Sequence, residues 1–299
     1  MKKHEGLIAF IRRFPDDEAC KKYLSDQKWA SGFQCRRCGH EEWGKGETAH
    51  HRRCKNCRYD ESPTAHTLFH KIKFPLQKAF VIIHQLTTMK KGMSSCEISR
   101  QYGVHQETAW TFKQKVMRAM AVDPCVLSGS VEIDETVVGG HEKGKPGRSH
   151  GRRKSVQVAA EIEYPEEEGN PVIKRARSLP IHGYAASDMA PAINQMVDDT
   201  ALVTTDGNLA YPKALGKRDH LVFLSENGAN FQLLHWHIFN LKNWIRGTHH
   251  KVSGKHIRYY LEEFHFRFNY RNFIQRAFNT VVKNMLNLPW MPYKHMIAA

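Results

Sequence analysis

Apolar positions recur along this chain in two rhythms, and the change from one to the other divides it. Residues 1–30 read as helical, with an acidic start at DDEAC after Pro15 and Trp29 near the end. The stretch FPLQKAFVIIHQLTTMKKG has helical spacing and predicts an amphipathic helix that begins at Pro75 and stops at Gly92. Ser94–Tyr102, a turn at Gly103 and Gln106–Met120 predict a short helix followed by a longer one. From Val131 the rhythm changes to apolar, β-rich runs. Val131–Gly140 (VEIDETVVGG), Ser155–Tyr164 and Val172–Ser178 predict a three-strand meander, with the acidic turn PEEEGN between the last two. A helix over 185–198, a strand at Ala201–Asp206, a helix around Leu209–Leu215 and a short strand near Leu221–Leu224 follow. Leu234, Ile238, Leu241 and Ile245 then return to helical spacing. From His249 onward a basic, aromatic helix pair is expected, with Tyr260, Phe264 and Phe268 in its core.

Two of the strands carry an acid where burial is costly. Alternation puts Glu132, Asp134 and Thr136 on one face of the first strand, and Val131, Ile133, Glu135 and Val137 on the other. ALVTTD presents Asp206 just before the turn Gly207–Asn208. An Asp in an apolar strand needs a cationic partner. Taken singly, each could simply cap a turn. Taken together, they suggest two halves of one divalent-metal site.

The cysteines form a second pattern. Cys35, Cys38, Cys54 and Cys57 make two C-x2-C pairs with a 15-residue spacer, the arrangement of a zinc ribbon in which four thiolates hold one structural Zn2+. His40, His50 and His51 lie close enough to substitute, but four sulfurs already close the shell. An odd total of seven cysteines, four of them so paired, points to a reducing, cytoplasmic compartment rather than to disulfides. Cys96 and Cys125 read as small core residues.

Charge narrows the partner. Lys plus Arg number 45 against 30 Asp plus Glu, a formal charge of +15 with pI near 9.5. Such an excess favours a polyanion, nucleic acid above all. The first apolar segment is broken by Arg12 and Arg13, so no secretory signal is expected, and no run is long enough for a membrane span. Basic residues around the ribbon either touch DNA backbone or form a solvated face. The helix–Gly103–helix stretch reads as a helix-turn-helix, with Gln106, Glu107, Thr108 and Lys113 near the start of a recognition helix; two packed helices without a DNA role are the alternative. The loop GGHEKGKPGRSHGRRK, ending at Arg152, Arg153 and Lys154, would hold a phosphodiester beside Asp134. Arg258, Arg267 and Arg271 are further candidate phosphate contacts.

The order of elements is that of a ribonuclease-H-like fold. VEIDETVVGG, TTDGNLAY with Tyr211, and GTHHKVSGKHIRYYLEEFHFRFNYR resemble the corresponding segments of IS1595-type, ISXO2-like insertion-sequence transposases. The ribbon, HTLFHKIKFPL after it and the helix-turn-helix are similar to that family's N-terminal region. The class expected is therefore α+β or α/β: a helical segment over 1–32, a zinc ribbon over 33–73, a helix-turn-helix region over 74–124, and a ribonuclease-H-like transposase domain with C-terminal helices over 125–299. The resemblance implies a DDE-type enzyme that uses Mg2+ or Mn2+ to cleave element ends and join them to target DNA, working on double-stranded DNA as a homo-oligomer. It assigns the first two metal ligands to Asp134 and Asp206. Counting 34 residues on from Asp206 reaches Asn240 for the third, where most such enzymes have Glu. Either Asn240 completes the site, helped by His235 or His237, or this copy is impaired and serves as a DNA-binding regulator. Glu226 is a substitute carboxylate on a turn, and Lys242 matches the basic residue that often follows the third position.

Overall fold

The computed structural model describes residues 5–122, 126–139, 153–165, 169–224, 229–249 and 252–298, and the chain forms two compact units. The first unit takes residues 1–122 together with 273–299, and the second takes 123–272.

The first unit opens with α1 (Leu7–Arg13) and α2 (Asp17–Lys28). Asp16 starts α2 by accepting the Ala19 N–H at 2.8 Å, which satisfies one of the free donors of its first turn. A three-stranded antiparallel sheet follows: β1 (Trp43–Lys45), β2 (Arg52–Cys54) and β3 (Asp60–Glu61), in that order. Next come α3 (Leu76–Thr88), α4 (Ser95–Tyr102) and α5 (Gln106–Met120). Ser94 caps α4 by accepting the Glu97 N–H at 3.1 Å. Gly103 ends it with φ of 59°, a left-handed turn that costs glycine nothing and lets α5 start three residues later.

The second unit is built on a five-stranded sheet. Its strands are β4 (Ser130–Val138), β5 (Lys154–Glu163), β6 (Val172–Pro180), β7 (Leu202–Thr205) and β8 (His220–Val222), in the spatial order β6-β5-β4-β7-β8. The first three form the expected antiparallel meander, with Asp134 opposite Val158. β7 and β8 then add in parallel, as separate crossovers require. The helices α6 (Ala186–Met196) and α7 (Tyr211–Leu215) cover one face, where Val131, Ile133 and Val203 meet Met189, Ile193 and Tyr211 in a closed apolar core. The other face receives α8 (Gln232–Thr248) and α9 (Ile257–Asn269). β6 is a sheet edge, and α9 seals it: Asn269 donates to the Ala176 carbonyl at 3.0 Å and accepts its N–H at 2.9 Å.

Two further helices follow, α10 (Ile274–Asn287) and the short α11 (Tyr293–Ala298). They were expected to extend the strand-bearing region, but they belong to the first unit. Ala277, Phe278, Val281, Val282 and Met285 form one apolar face of α10. Phe278 enters the aromatic cluster of Phe10, Phe14, Tyr23 and Phe80.

Candidate functional site

The ribbon's two knuckles are near copies. Cys35 and Cys54 each accept an N–H four residues on, from Gly39 at 2.8 Å and Arg58 at 3.1 Å. Their own N–H groups donate to His40 and Tyr59, both at 2.9 Å. Gly39 (φ 75°) and Arg58 (φ 61°) occupy the same left-handed position, one residue after the second cysteine of each pair. Only the first knuckle has glycine there. The four Sγ atoms lie within 4.8 Å of one another, with Cys35–Cys57 at 3.5 Å and Cys38–Cys54 at 3.6 Å. A tetrahedron of Zn–S bonds near 2.3 Å has edges of about 3.8 Å, so the cage fits a structural zinc ion. His50 and His51 turn away from the sulfurs, to Glu18 at 2.9 Å and Asp60 at 3.2 Å.

The two strand acids follow from register. Glu132 pairs with Thr204 in the parallel β4–β7 ladder. Asp134 and Asp206 each stand two residues beyond that pair, on the same pleat parity of neighbouring strands. Asp134 accepts the Glu135 N–H at 2.7 Å through Oδ1, which leaves Oδ2 free to face α8. Asp206 accepts the Asn208 N–H at 3.1 Å at the start of the turn after β7. Glu132 shares the Asp134 face. Burial pushes its carboxyl up to about 7, with the His235 imidazole opposing, and its Oε2 is enclosed with no hydrogen-bond partner. On the opposite face Tyr211 is fully buried beside Glu135 and Gln157; burial first, then the Glu135 charge, raises its phenol well above the usual range.

Helix α8 supplies the rest. His235 Nε2 lies 3.2 Å from Asp134 Oδ2. Lys242, half-buried, is pulled down by desolvation and held up by the Asp134 charge. At 100° per residue, positions seven apart return to within about 20° of each other, so His235 and Lys242 form one stripe aimed at Asp134. Asn240 lies about 140° round the helix from His235 and is exposed. Asn240 was expected to join the carboxylates; in the structure the helical residue beside Asp134 is His235. His237, the other candidate helper, is buried against His265 at 3.2 Å. Glu226 lies outside the described residues. His235 and Lys242 share a helix face that Asn240 does not, a pattern the sequence already carries.

Several expected DNA contacts are committed elsewhere. Lys113 is 2% exposed and donates to the Met93 carbonyl at 2.6 Å, so it braces the helical layer and cannot reach a phosphate. Arg267 is buried, with its guanidinium 4.9 Å above the Trp244 ring. Arg271 donates to the carbonyls of Ile173, Lys174 and Phe268, sealing the β6 edge alongside Asn269. All three were expected at phosphates because sequence shows charge but not burial. Arg153 and Lys154 lie at the entry to β5, half-buried, while Arg152 is outside the described residues.

Two comparisons bear on this arrangement. A transposase zinc-ribbon domain matches residues 15–60, and an ISXO2-like transposase domain matches 126–269. The cysteine cage and the mixed sheet thus fall within two transposase family domains. More particularly, the chain belongs to the ISXO2-like family of IS1595 transposases. It is also 26% identical over 148 residues to an "uncharacterized protein in transposable element ISH50" of Halobacterium salinarum. That match covers 47% of this chain and 50% of the relative, so the chain spans about half the length of the protein it matches.

Proposed function

We propose that this transposase cleaves DNA at the ends of a mobile element and joins the freed 3′-hydroxyl to a target. The second unit is its ribonuclease-H-like catalytic domain, a reading supported by the β6-β5-β4-β7-β8 order with its antiparallel-to-parallel change at β4. The observation that carries the proposal is the pairing of His235 with Asp134 at 3.2 Å, with Asp206 following β7, the strand that runs parallel beside β4.

Carboxylates and an imidazole are donor types that suit a divalent cation, and Glu132, whose Oε2 has no hydrogen-bond partner, shares the strand face of Asp134. A bound divalent cation would supply activation of water or a 3′-hydroxyl and charge neutralisation at the phosphate. Asp134 and Asp206 fix the negative end of the site through their hydrogen bonds to Glu135 and Asn208. His235 closes it from the helix side, in the role first given to Asn240. Lys242, two turns on, orients the incoming phosphate. The ribbon and the α4–Gly103–α5 pair serve to hold double-stranded DNA, the latter as a helix-turn-helix whose contacts do not include Lys113. The active species is a homo-oligomer bridging two element ends.

The test is a strand-cleavage and joining assay on labelled element ends, with the wild type and the Asp134→Asn and Asp206→Asn variants. Each variant is expected to lose cleavage by about 10³-fold or more while duplex affinity stays within about twofold. Wild-type cleavage by either variant would overturn the assignment.

A further inference from the structure

The first unit contains a cavity of about 310 Å³ that the proposed reaction does not use. It lies between the segment Lys71–Phe74, the first turns of α5 and the stretch Trp290–Tyr293. Its volume is at the low end for pockets that take a small organic ligand, far too small for a duplex.

Three lysines line the cavity, Lys71, Lys73 and Lys115. Lys115 is 5% exposed, and its ammonium has a single long hydrogen bond, to the His70 carbonyl at 3.4 Å. Among the described residues no carboxylate pairs with it. Desolvation accordingly pulls it down to about 8, the response of a buried cation that lacks an anion. Glu107 is the one acid in the lining, and it already accepts a hydrogen bond from the Tyr293 hydroxyl. The N-terminus of α5 has no side-chain cap, so its positive end adds to the field. Trp290 and Tyr293 are 40% and 42% exposed, large rings left open to a ligand. The Lys71 ammonium lies 5.0 Å over the Trp290 ring. Lys71 also holds φ of 54°, a backbone state unfavourable for a residue with a side chain.

Indole and phenol rings ringed by ammonium groups, one of them buried without a counter-ion, are the chemistry that takes a flat base and its phosphate together. We infer that this cavity binds a single unpaired nucleotide of a DNA strand, with the base stacked at Trp290 and the phosphate neutralised by Lys115 and Lys71. The inference rests on the chain acting on DNA, but not on the metal site.

The test uses the full-length protein and two fluorescent duplexes of the same sequence, one blunt and one with a four-nucleotide single-stranded overhang. Fluorescence anisotropy is expected to show about 10-fold tighter binding of the overhang. Trp290→Leu and Lys115→Met should remove that difference while leaving blunt-duplex affinity within about twofold. Because Lys115 is buried, Lys71→Gln with Lys73→Gln gives a surface-only version, expected to reduce the preference at least threefold. Equal binding of the two duplexes by the wild type, or an overhang preference unchanged in Trp290→Leu, would overturn the inference. Failure to bind either duplex would instead count against the DNA-acting reading.

Discussion

His235 Nε2 and Asp134 Oδ2 lie 3.2 Å apart, although 101 residues separate them in the chain. Strand β4 fixes one partner and helix α8 the other, so the pairing depends on how α8 lies across the sheet. On the proposed function, an imidazole in this position would also set the metal preference. Replacing one oxygen donor of an all-carboxylate site by nitrogen favours Mn2+ over Mg2+, which prefers oxygen ligands. Wild-type cleavage is expected to be at least fivefold faster in Mn2+ than in Mg2+. His235→Glu should reverse or erase that ratio, and His235→Ala should lose activity in both. Asn240→Ala should stay within about twofold of wild type, and a loss comparable to His235→Ala would return the third position to Asn240.

The ribbon makes a separate prediction. With an apolar core of little more than Trp29, Phe33, Tyr59 and the cysteines themselves, it depends on the ion for order. One zinc per chain is expected on release with a thiol-reactive mercurial. Cys54→Ala should abolish that release and melt the ribbon, while the second unit keeps its protection from hydrogen exchange. Stoichiometric zinc in Cys54→Ala would show that the metal sits elsewhere.

Arg58 offers a stability test within the same ribbon. It adopts φ of 61° where the first knuckle uses Gly39, a left-handed state that costs a side-chain-bearing residue roughly 1 kcal/mol. Arg58→Gly is therefore expected to raise the ribbon's resistance to zinc chelation by about that amount, whereas Gly39→Ala should lower it. Urea titration in the presence of a competing chelator measures both, and equal effects of the two changes would remove the explanation.

A pH dependence follows from the buried pair His237–His265. The Leu261 carbonyl at 2.8 Å takes the Nδ1–H of His265, leaving its Nε2 to accept from His237. Burial, with Arg177 nearby, brings His265 down to about 4, while the hydrogen bond to Leu261 opposes the shift. Burial first and the neighbouring His265 second also lower His237 well below its ordinary value. A depressed histidine favours the neutral form on folding, so its stabilising effect is complete above pH 6.5 and is lost as pH falls toward 4. For His265 that loss is on the order of 3 kcal/mol. Denaturation curves at pH 7.5 and 4.5 should show it, and His265→Gln should flatten the slope. An unchanged slope would place the acid sensitivity in other groups.

Much of the architecture could be read from local pattern. The C-x2-C pairs, the meander from Val131 to Pro180 and the Gly103 turn each depend on neighbours within a few residues, and those are what periodicity and spacing report. The two strand acids were legible for the same reason, since an Asp inside an apolar run stands out without knowledge of its partner. Lys113 and Arg271 were not legible as braces. A formal charge looks the same in sequence whether it meets a phosphate or the Met93 and Ile173 carbonyls.

The amino-acid sequence by itself determined which groups are available: four thiolates in two knuckles, an Asp within one strand and another just after a second, a histidine and a lysine seven residues apart on one helix. Tertiary structure decided which of them meet. The β4–β7 register pairs Glu132 with Thr204, two residues before Asp134 and Asp206, the rotation of α8 brings His235 to Asp134, and α10 returns its apolar face to Phe10 and Phe14. Those choices are made by burial of faces between elements far apart in the chain. Strand and helix periods fix the faces locally, but nothing local states which face will find which partner.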